Sequence, residues 1–282
     1  MQANYDHCAA LVREFDRDRY LATLFAPAEH RNALFALYAF NVEIGRVRDL
    51  AREPLPGEIR LQWWREMLSG ERDVEAAAHP VAAALRETLS RHGFVAAPLI
   101  ELIDEHIFDL YDEPMASLGA LELYAIRTQS PIFATATGIL KSGGTPELFT
   151  QDASVVYTIA AILRNFGRHA ARRQLYVPLE VMDRHQVKPE DIFAEQVSEP
   201  ILAALAEMRG IAHRHLATAQ ARLEFALTEI LPAFLPLALV GPQLRRMASS
   251  GYQPFALNQI APWRRQWLLW RAARDPSRIF GA

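Results

Sequence analysis

The chain has 282 residues, of which 51% are hydrophobic and 22% charged, and its formal net charge is −3. This length suffices for one large hydrophobic core, and the apolar content excludes a disordered protein. The slight acidic excess excludes the basic surface typical of nucleic-acid-binding proteins, so we expect no nucleic-acid partner.

Apolar residues recur every three or four positions along the chain, and no stretch alternates as a strand would. Pro56 and Pro80 suit first helical turns, whereas Gly70 and Gly93 suit helix ends. The pattern predicts helices over 6–24, 27–51, 56–68, 80–92, 97–111, 118–140, 152–172, 199–228, 232–247 and 262–273. It also predicts a helical turn after Pro178 and a loop over 187–191. Because no repeat or linker interrupts the pattern, we expect a single all-α domain over residues 1–282.

Cysteine usage and the N-terminus bear on the compartment. Cys8 is the only cysteine, which excludes a disulfide framework and suits a reducing environment. The N-terminal residues are polar, unlike a secretory signal, and no apolar run reaches the roughly 20 residues that span a bilayer. We therefore expect a cytoplasmic protein, with peripheral binding to the inner face of the cytoplasmic membrane as a further hypothesis.

Two segments carry more specific information. Residues 36–49 read Ala-Leu-Tyr-Ala-Phe-Asn-Val-Glu-Ile-Gly-Arg-Val-Arg-Asp. Residues 163–178 read Leu-Arg-Asn-Phe-Gly-Arg-His-Ala-Ala-Arg-Arg-Gln-Leu-Tyr-Val-Pro. Both segments resemble signature helices of the squalene/phytoene synthase family. The resemblance implies an isoprenoid (trans-prenyl diphosphate) synthase-like helical bundle around a central cavity.

The first motif differs from the family at the positions of its metal ligands. In the family this helix continues into Asp-Asp-x-x-Asp, whose carboxylates hold the magnesium ions that neutralise a prenyl diphosphate. Those three aspartates fall on Gly45, Arg46 and Asp49, so one carboxylate remains. Arg46 would repel a cation, because magnesium prefers carboxylate oxygens.

The second motif differs in the same way. The family carries two aspartates four residues apart, a spacing that aims both carboxylates at one metal cluster. They fall on Asn165 and His169, and the glutamate between them falls on Arg168. An amide is a weak magnesium ligand, and imidazole suits other metals better. The resemblance therefore implies degenerate motifs, with no metal or cofactor.

Positions that the family places at its cavity also differ. The family's Gln-x-x-Asn falls on Thr158 and Ala161, and the last glycine of its Ala-Gly-Ser-Val-Gly segment falls on Phe133. We expect these residues and Phe40 to line the cavity. A ring at Phe133 would partly fill it.

Arginines accompany both motifs, and a guanidinium is a good bidentate partner for phosphate. The residues expected to form a metal-free site for a phosphate or an acidic lipid headgroup are Arg46, Arg164, Arg168, Arg172, Arg173 and Tyr176. Internal ion pairing is the alternative and is slightly favoured, for example between Glu43 and Arg46 on one helix.

Two other patterns favour a structural role over a ligand-binding or metal-binding site. Trp63 and Trp64 are adjacent on a helix, where aromatic pairs are more often core packing. The acidic series that includes Asp104, Glu105 and Asp109 offers carboxylates four residues apart, although pairing with arginines is favoured over a metal.

The C-terminal segment carries a pattern of tryptophan and arginine. Residues 262–274 read Pro-Trp-Arg-Arg-Gln-Trp-Leu-Leu-Trp-Arg-Ala-Ala-Arg, which places Trp263, Trp267 and Trp270 on one helical stripe. Interfacial helices on anionic membranes have this composition, and so do terminal helices that dock on a core. Exposure of the stripe would favour docking on a membrane surface or on subunits of a membrane complex.

Within the family, the chain is most similar to the branch of the mitochondrial respiratory complex I assembly factor. The similarity is clear in Ala-Phe-Asn-Val-Glu-Ile at 39–44 and Arg-Leu-Gln-Trp-Trp-Arg-Glu-Met at 60–67. It implies a non-catalytic assembly or scaffold factor for a membrane respiratory complex. Two alternatives stay open. One is a prenyltransferase that condenses two prenyl diphosphates head to head with Mg²⁺, and the other is a non-catalytic protein that binds an isoprenoid or lipid.

Overall fold

The computed structural model of the chain describes residues 1–51, 53–141, 147–222, 229–256 and 260–280. Within these ranges the regular structure is helical and no residue lies in a β-strand, so the all-α prediction is confirmed. In the same ranges, no helix combines the length and the apolar character needed to cross a membrane.

The α-helices of the described ranges vary from 4 to 24 residues in length. In chain order they are α1 (Gln2–Phe15), α2 (Arg17–Thr23), α3 (Ala28–Gly45), α4 (Val47–Leu50), α5 (Pro54–Leu68), α6 (Asp73–Ala78), α7 (Pro80–His92), α8 (Ala97–Glu105), α9 (Leu118–Leu140), α10 (Glu147–Arg164), α11 (Phe166–Ala171), α12 (Leu179–Arg184), α13 (Pro189–Phe193), α14 (Glu199–Arg222), α15 (Leu231–Phe234), α16 (Val240–Met247) and α17 (Pro262–Arg274). Short 3₁₀ turns lie at Phe108–Leu110, Leu235–Leu239 and Pro276–Phe280.

The chain divides into two compact units. The first comprises Met1–Tyr111, Arg127–Pro146 and Leu227–Pro236, and the second comprises Asp112–Ile126, Glu147–Ala226 and Leu237–Ala282. The expectation of a single folding domain stays a prediction.

The first unit is built on the packing of α1, α3 and α7 against one another. Val12, Leu34, Leu37 and Leu85 are completely buried there. Helix α5 packs on α8, and α15 packs on α2. The core of this unit therefore lies under the helix that ends in the first signature motif.

The second unit is built on α10 and α14, which pack along each other, with α12 on α14 and α16 on α10. Val156, Ile159 and Leu163 of α10 have no solvent exposure. Helix α10 is thus buried over much of its length and leads directly into the second signature motif.

Both signature motifs contain a helix break that the sequence pattern does not predict. The helix predicted over 27–51 is divided at Arg46 into α3 and α4. The helix predicted over 152–172 begins earlier, at Glu147, and is divided at Asn165 into α10 and α11. By contrast, α7 and α9 have the predicted bounds.

Candidate functional site

The first signature motif lies at the junction of α3 and α4. Arg46 takes φ −99 and ψ 0, and Gly45 and Asp49 on either side of it are exposed. The Arg46 guanidinium lies 3.4 Å from the centre of the Phe15 ring, which is a cation–π contact. Among the described ion pairs none joins Arg46 to Glu43, so an aromatic contact replaces the pair that the sequence favoured.

Phe40 and Trp64 belong to the core of the first unit, and Trp63 lies beside Trp64 at its edge. Phe40 is completely buried, and its ring lies 5.4 Å from that of Trp64 in an edge-to-face arrangement. Trp64 is buried as well, and the indole N–H of Trp63 donates to the Glu75 carboxylate at 2.8 Å. The interpretation as core packing is confirmed for Trp64, whereas Trp63 is half-buried.

Phe133 fills space inside the first unit. Its ring is 1% exposed and stacks on Phe234 with the centroids 5.0 Å apart. Arg19, also 1% exposed, lies 6.0 Å from the Phe133 ring and donates from Nη2 to Gln129 Oε1 at 2.8 Å. The segment 129–133 is therefore held by a buried charge at one end and a ring stack at the other.

Buried Cys8 and half-buried His79 are two titratable groups near α3. Burial raises the pKa of the Cys8 thiol to about 12. His79 caps α7, since its Nδ1 accepts from the Ala82 N–H at 3.3 Å. Burial lowers the pKa of His79, and the nearby Glu43 carboxylate opposes this in part. Both side chains are therefore neutral in the folded protein near neutral pH.

The acidic series of α8 is engaged in pairs. These pairs are Arg65 with Asp104 at 3.5 Å, Arg127 with Glu105 at 2.6 Å, and His106 with Asp109 at 2.6 Å. Pairing with arginine is confirmed for Asp104 and Glu105, whereas Asp109 pairs with a histidine. Within the described residues, no three His, Cys, Asp or Glu side chains form a group that could hold a metal ion. That the protein needs no metal stays a prediction.

A groove of about 450 Å³ lies along α5 and was not anticipated from the sequence. Leu55, Ile59, Trp63 and Ile103 contribute to its lining. Leu55 is 66% exposed and Ile59 is 62% exposed. The signal for it was available, because Leu55 and Ile59 lie on the face of α5 opposite its buried residues.

The second signature motif lies at the junction of α10 and α11. Asn165, with φ −100 and ψ 13, interrupts the helix, and its side-chain amide donates to the Ala161 carbonyl at 2.9 Å. The His169 N–H donates to the Asn165 carbonyl at 2.9 Å, so the two residues are one helical turn apart, as their spacing predicts. The His169 ring packs on Tyr176 with centroids 4.7 Å apart.

Thr158 and Ala161 lie on the helix that precedes this motif. Thr158 is 7% exposed, and its hydroxyl has no hydrogen-bond partner within the described part of the chain. Ala161 is half-buried. A buried hydroxyl without a partner is uncommon. That these residues line a cavity, with Phe40 and Phe133, stays a prediction.

The arginines of the second motif are concentrated at α11 and just after it. Arg164 is half-buried, whereas Arg168, Arg172 and Arg173 are exposed. Arg173 has a left-handed backbone with φ 58, and its guanidinium lies 4.5 Å from the centre of the Phe193 ring. The Arg173 guanidinium therefore contacts an aromatic ring of the same unit. The anion site predicted from these residues, Tyr176 and Arg46 stays a prediction.

Helix α11 approaches the backbone of a later segment closely. A Cβ atom built on Gly167 would lie 2.7 Å from both the carbonyl carbon and the Cα of Phe255. The rings of Phe166 and Phe255 are in contact, with centroids 5.2 Å apart. Only a residue without a side chain allows this approach.

A charged network in the second unit was not predicted from the sequence. His215 Nδ1 lies 2.9 Å from Asp152 Oδ1, and its Nε2 lies 3.3 Å from Glu122. Arg222 also pairs with Asp152, which is 8% exposed. The members are too far apart in sequence for a local spacing rule to detect them.

The tryptophans of α17 are exposed. Trp263 is 71% exposed, Trp267 46% and Trp270 44%. The opposite face of α17 is buried through Leu269 and Ala272. The sequence alone left open whether the stripe packs on a core, and the structure places it in solvent.

Comparison with known proteins decides the family. Residues 12–271 match the family described as squalene/phytoene synthase. The chain belongs to this family. The predicted family resemblance is confirmed.

Two curated relatives differ in what their names say they do. Human NADH dehydrogenase (ubiquinone) complex I, assembly factor 6 is 29% identical over 255 residues, which are 89% of this chain and 76% of the human protein. The chloroplastic phytoene synthase of Daucus carota is 26% identical over 207 residues, which are 69% of this chain and 50% of the carrot protein. The predicted similarity to the assembly-factor branch is confirmed.

Among solved structures, a dehydrosqualene synthase in complex with a ligand aligns with a TM-score of 0.82. The alignment covers 97% of this chain and 96% of that one at 17% sequence identity. It confirms the isoprenoid synthase-like helical fold.

Proposed function

We propose that this member of the squalene/phytoene synthase family is a non-catalytic assembly or scaffold factor for a membrane-bound respiratory complex. The observation that carries the proposal is the similarity to human complex I assembly factor 6 over 89% of the chain. The role named for that relative is to assist the building of a respiratory complex. We propose the same class of role here, at the inner face of the cytoplasmic membrane.

The chemistry of the two motifs supports the absence of catalysis. A magnesium cluster for a prenyl diphosphate requires several carboxylate ligands. Where the resemblance expects aspartates, Arg46 brings a cation held over Phe15, and Asn165 brings an amide that donates to a backbone carbonyl. Asp49 alone does not make a magnesium site. The donor set present therefore does not fit the metal that the family implies.

An active prenyltransferase is the second candidate, favoured by the family match and by the similarity to carrot phytoene synthase. It would have to ionise a diphosphate with Asp49 and arginines in place of metal-bound carboxylates, at a large loss of electrostatic stabilisation. A non-catalytic protein that binds an isoprenoid or lipid is the third candidate. The buried ring of Phe133 reduces the space available to such a ligand in the first unit.

A turnover assay separates the first two candidates. The natural protein and a variant with Gly45→Asp, Arg46→Asp, Asn165→Asp and His169→Asp are incubated with labelled farnesyl or geranylgeranyl diphosphate, magnesium and reduced nicotinamide cofactor. At Gly45 an added Cβ meets no atom within 4 Å, so the new carboxylate has room. We expect no product from the natural protein. Product from the natural protein would refute the non-catalytic proposal, and product from the variant alone would attribute inactivity to the missing carboxylates.

Gene deletion tests the assembly role directly. In the organism that encodes this chain, we expect its loss to lower the amount of assembled NADH dehydrogenase on native gels and the NADH:quinone reductase activity of membranes. Succinate dehydrogenase activity is the internal control and should not change. The natural gene and the Asp49→Ala variant should both restore the complex, because the proposed role needs no metal ligand. Unchanged complex content after deletion would refute the assembly role.

A further inference from the structure

A small basic pocket lies beside the tryptophan stripe of α17. Its volume is about 120 Å³, and it lies between α16, α17 and the 3₁₀ turn that follows α17. The charged side chains that line it are Arg245, Arg264, Arg271 and Arg278. Among the residues that the structure describes, no acidic side chain lines it. Three elements thus bring four cations to one small concavity in the second unit.

One carboxylate near the pocket neutralises part of this charge. Arg278 Nε donates to Asp275 Oδ2 at 2.6 Å. Arg271 instead lies over Trp267, with its guanidinium carbon 4.5 Å from the ring centre. Among the described residues no carboxylate pairs with Arg264 or Arg271. The pocket therefore retains a net positive charge, and an anion is the ligand that complements it.

The pocket shares Trp267 with the exposed tryptophan stripe. Trp263, Trp267 and Trp270 occupy positions i, i+4 and i+7, so they lie on one face of α17. The guanidinium of Arg274 lies 4.2 Å from the centre of the Trp270 ring. Indole rings outside and guanidinium groups beside them are the arrangement of helices that lie in the interface of an anionic bilayer.

The size of the pocket suits a small anion. Its volume is about 120 Å³, which leaves room for a phosphate group. Guanidinium groups bind phosphate oxygens in a bidentate manner.

We propose that this pocket binds the headgroup phosphate of an anionic phospholipid while the tryptophans of α17 enter the interface of the same bilayer. The inference rests on the proposed peripheral membrane association and names the lipid chemistry that directs it. The bilayer supplies both an anion for the pocket and an apolar boundary for the stripe, which a soluble phosphate does not.

Vesicle co-sedimentation of the full chain tests the proposal. The vesicles contain phosphatidylcholine alone, or phosphatidylcholine mixed with phosphatidylglycerol. We expect binding to the mixed vesicles that is lost at high salt, and weak binding to neutral ones. Each arginine near an anionic surface is worth about fivefold in partitioning, so Arg264→Gln with Arg271→Gln should weaken binding about thirtyfold.

Matched variants locate the effect. Arg17→Gln with Arg60→Gln removes the same charge from exposed positions of the first unit, so binding should change less than threefold at moderate ionic strength. Trp263→Ala should weaken binding to both kinds of vesicle. Inorganic phosphate at constant ionic strength should not release the protein. Circular dichroism verifies that every variant is folded.

Three outcomes would overturn the proposal. Equal binding to neutral and anionic vesicles would show that charge does not direct the binding. Equal losses of vesicle binding in the pocket double variant and the control double variant would show that the pocket is not the binding site. Absence of binding to either kind of vesicle would indicate that the tryptophan stripe contacts a protein partner and not a bilayer. None of these results alters the deletion phenotype, so failure of this inference and failure of the assembly role are distinguishable.

Discussion

A methyl group added at Gly167 would test the close approach of α11 to the segment around Phe255. In Gly167→Ala the new Cβ would lie 2.7 Å from two backbone atoms of Phe255, whereas ordinary van der Waals contact begins at 3.4 Å. Backbone atoms cannot rotate away as a side chain does, so α11 or the 252–256 segment must move. Overpacking of this kind costs about 1–3 kcal/mol, and we expect the upper part of that range.

Helix propensity offsets part of this cost. Alanine is more favourable than glycine inside a helix by about 1 kcal/mol, so the expected net loss for Gly167→Ala is about 2 kcal/mol of unfolding free energy. Gly45→Ala is the matched control, because Gly45 ends α3 and its added Cβ meets no atom within 4 Å. There we expect no loss and a gain of up to about 1 kcal/mol.

Urea unfolding followed by far-ultraviolet circular dichroism measures both variants. The midpoint of unfolding should fall for Gly167→Ala and stay level or rise for Gly45→Ala, with the denaturant slope unchanged in each. Equal shifts for the two variants would refute the reasoning. In that case the approach between α11 and Phe255 would not constrain the folded protein.

Three further predictions concern buried or half-buried groups of the first unit. Phe133→Ala should lower the unfolding free energy by about 3–5 kcal/mol in urea titrations, since its ring stacks on Phe234, and a loss below 1 kcal/mol would contradict complete burial. Burial raises the pKa of the Cys8 thiol from 9.0 to about 12. The thiol should therefore react slowly with an aromatic disulfide reagent in the native protein at neutral pH, and rapidly in denaturant. Equal reaction rates in the two conditions would contradict the burial. The lowered pKa of His79 stabilises the fold above the ordinary value of 6.5, and this contribution is lost as the pH falls through the folded-state pKa. His79→Asn, which keeps a capping acceptor without the titration, should therefore lose less thermal stability than the natural protein between neutral and mildly acidic pH, and identical pH profiles would contradict the assignment.

Helix positions were predicted well where punctuation and periodicity agree. Pro80 begins α7, and proline is favoured at a first helical position. Gly93 ends α7 with a left-handed backbone, φ 68, which glycine adopts readily. The breaks at Arg46 and Asn165 were not predicted, because the apolar spacing continues across each of them. Helix α6 was missed and α13 was predicted as a loop, since helices of five or six residues are too short to show a period.

The position of the candidate site is a prediction from the sequence, whereas its contacts could not be predicted. The gapless alignment with the family motifs predicts aspartate positions at Arg46 and Asn165, and this needs only the sequence. The contact of Arg46 with Phe15 joins residues on two different helices, whereas spacing rules consider neighbours on one helix, and so they favoured Glu43. The sequence predicted that Glu105 pairs with an arginine, but it did not identify Arg127 as that arginine.

The left-handed backbone of Arg173 affects how a departure from the family motif is interpreted. The resemblance aligns a glycine of the family motif with this position, and φ 58 provides a reason unrelated to prenyl chemistry, because glycine adopts that conformation without steric cost. Arg173 keeps the bend with a bulkier residue, and its N–H still bonds the Ala170 carbonyl at 2.9 Å. A family motif therefore contains residues that set the backbone conformation as well as residues that take part in the reaction. Divergence at the first kind leaves catalytic status untouched, whereas the divergence predicted at Arg46, Asn165 and His169 would bear on it directly.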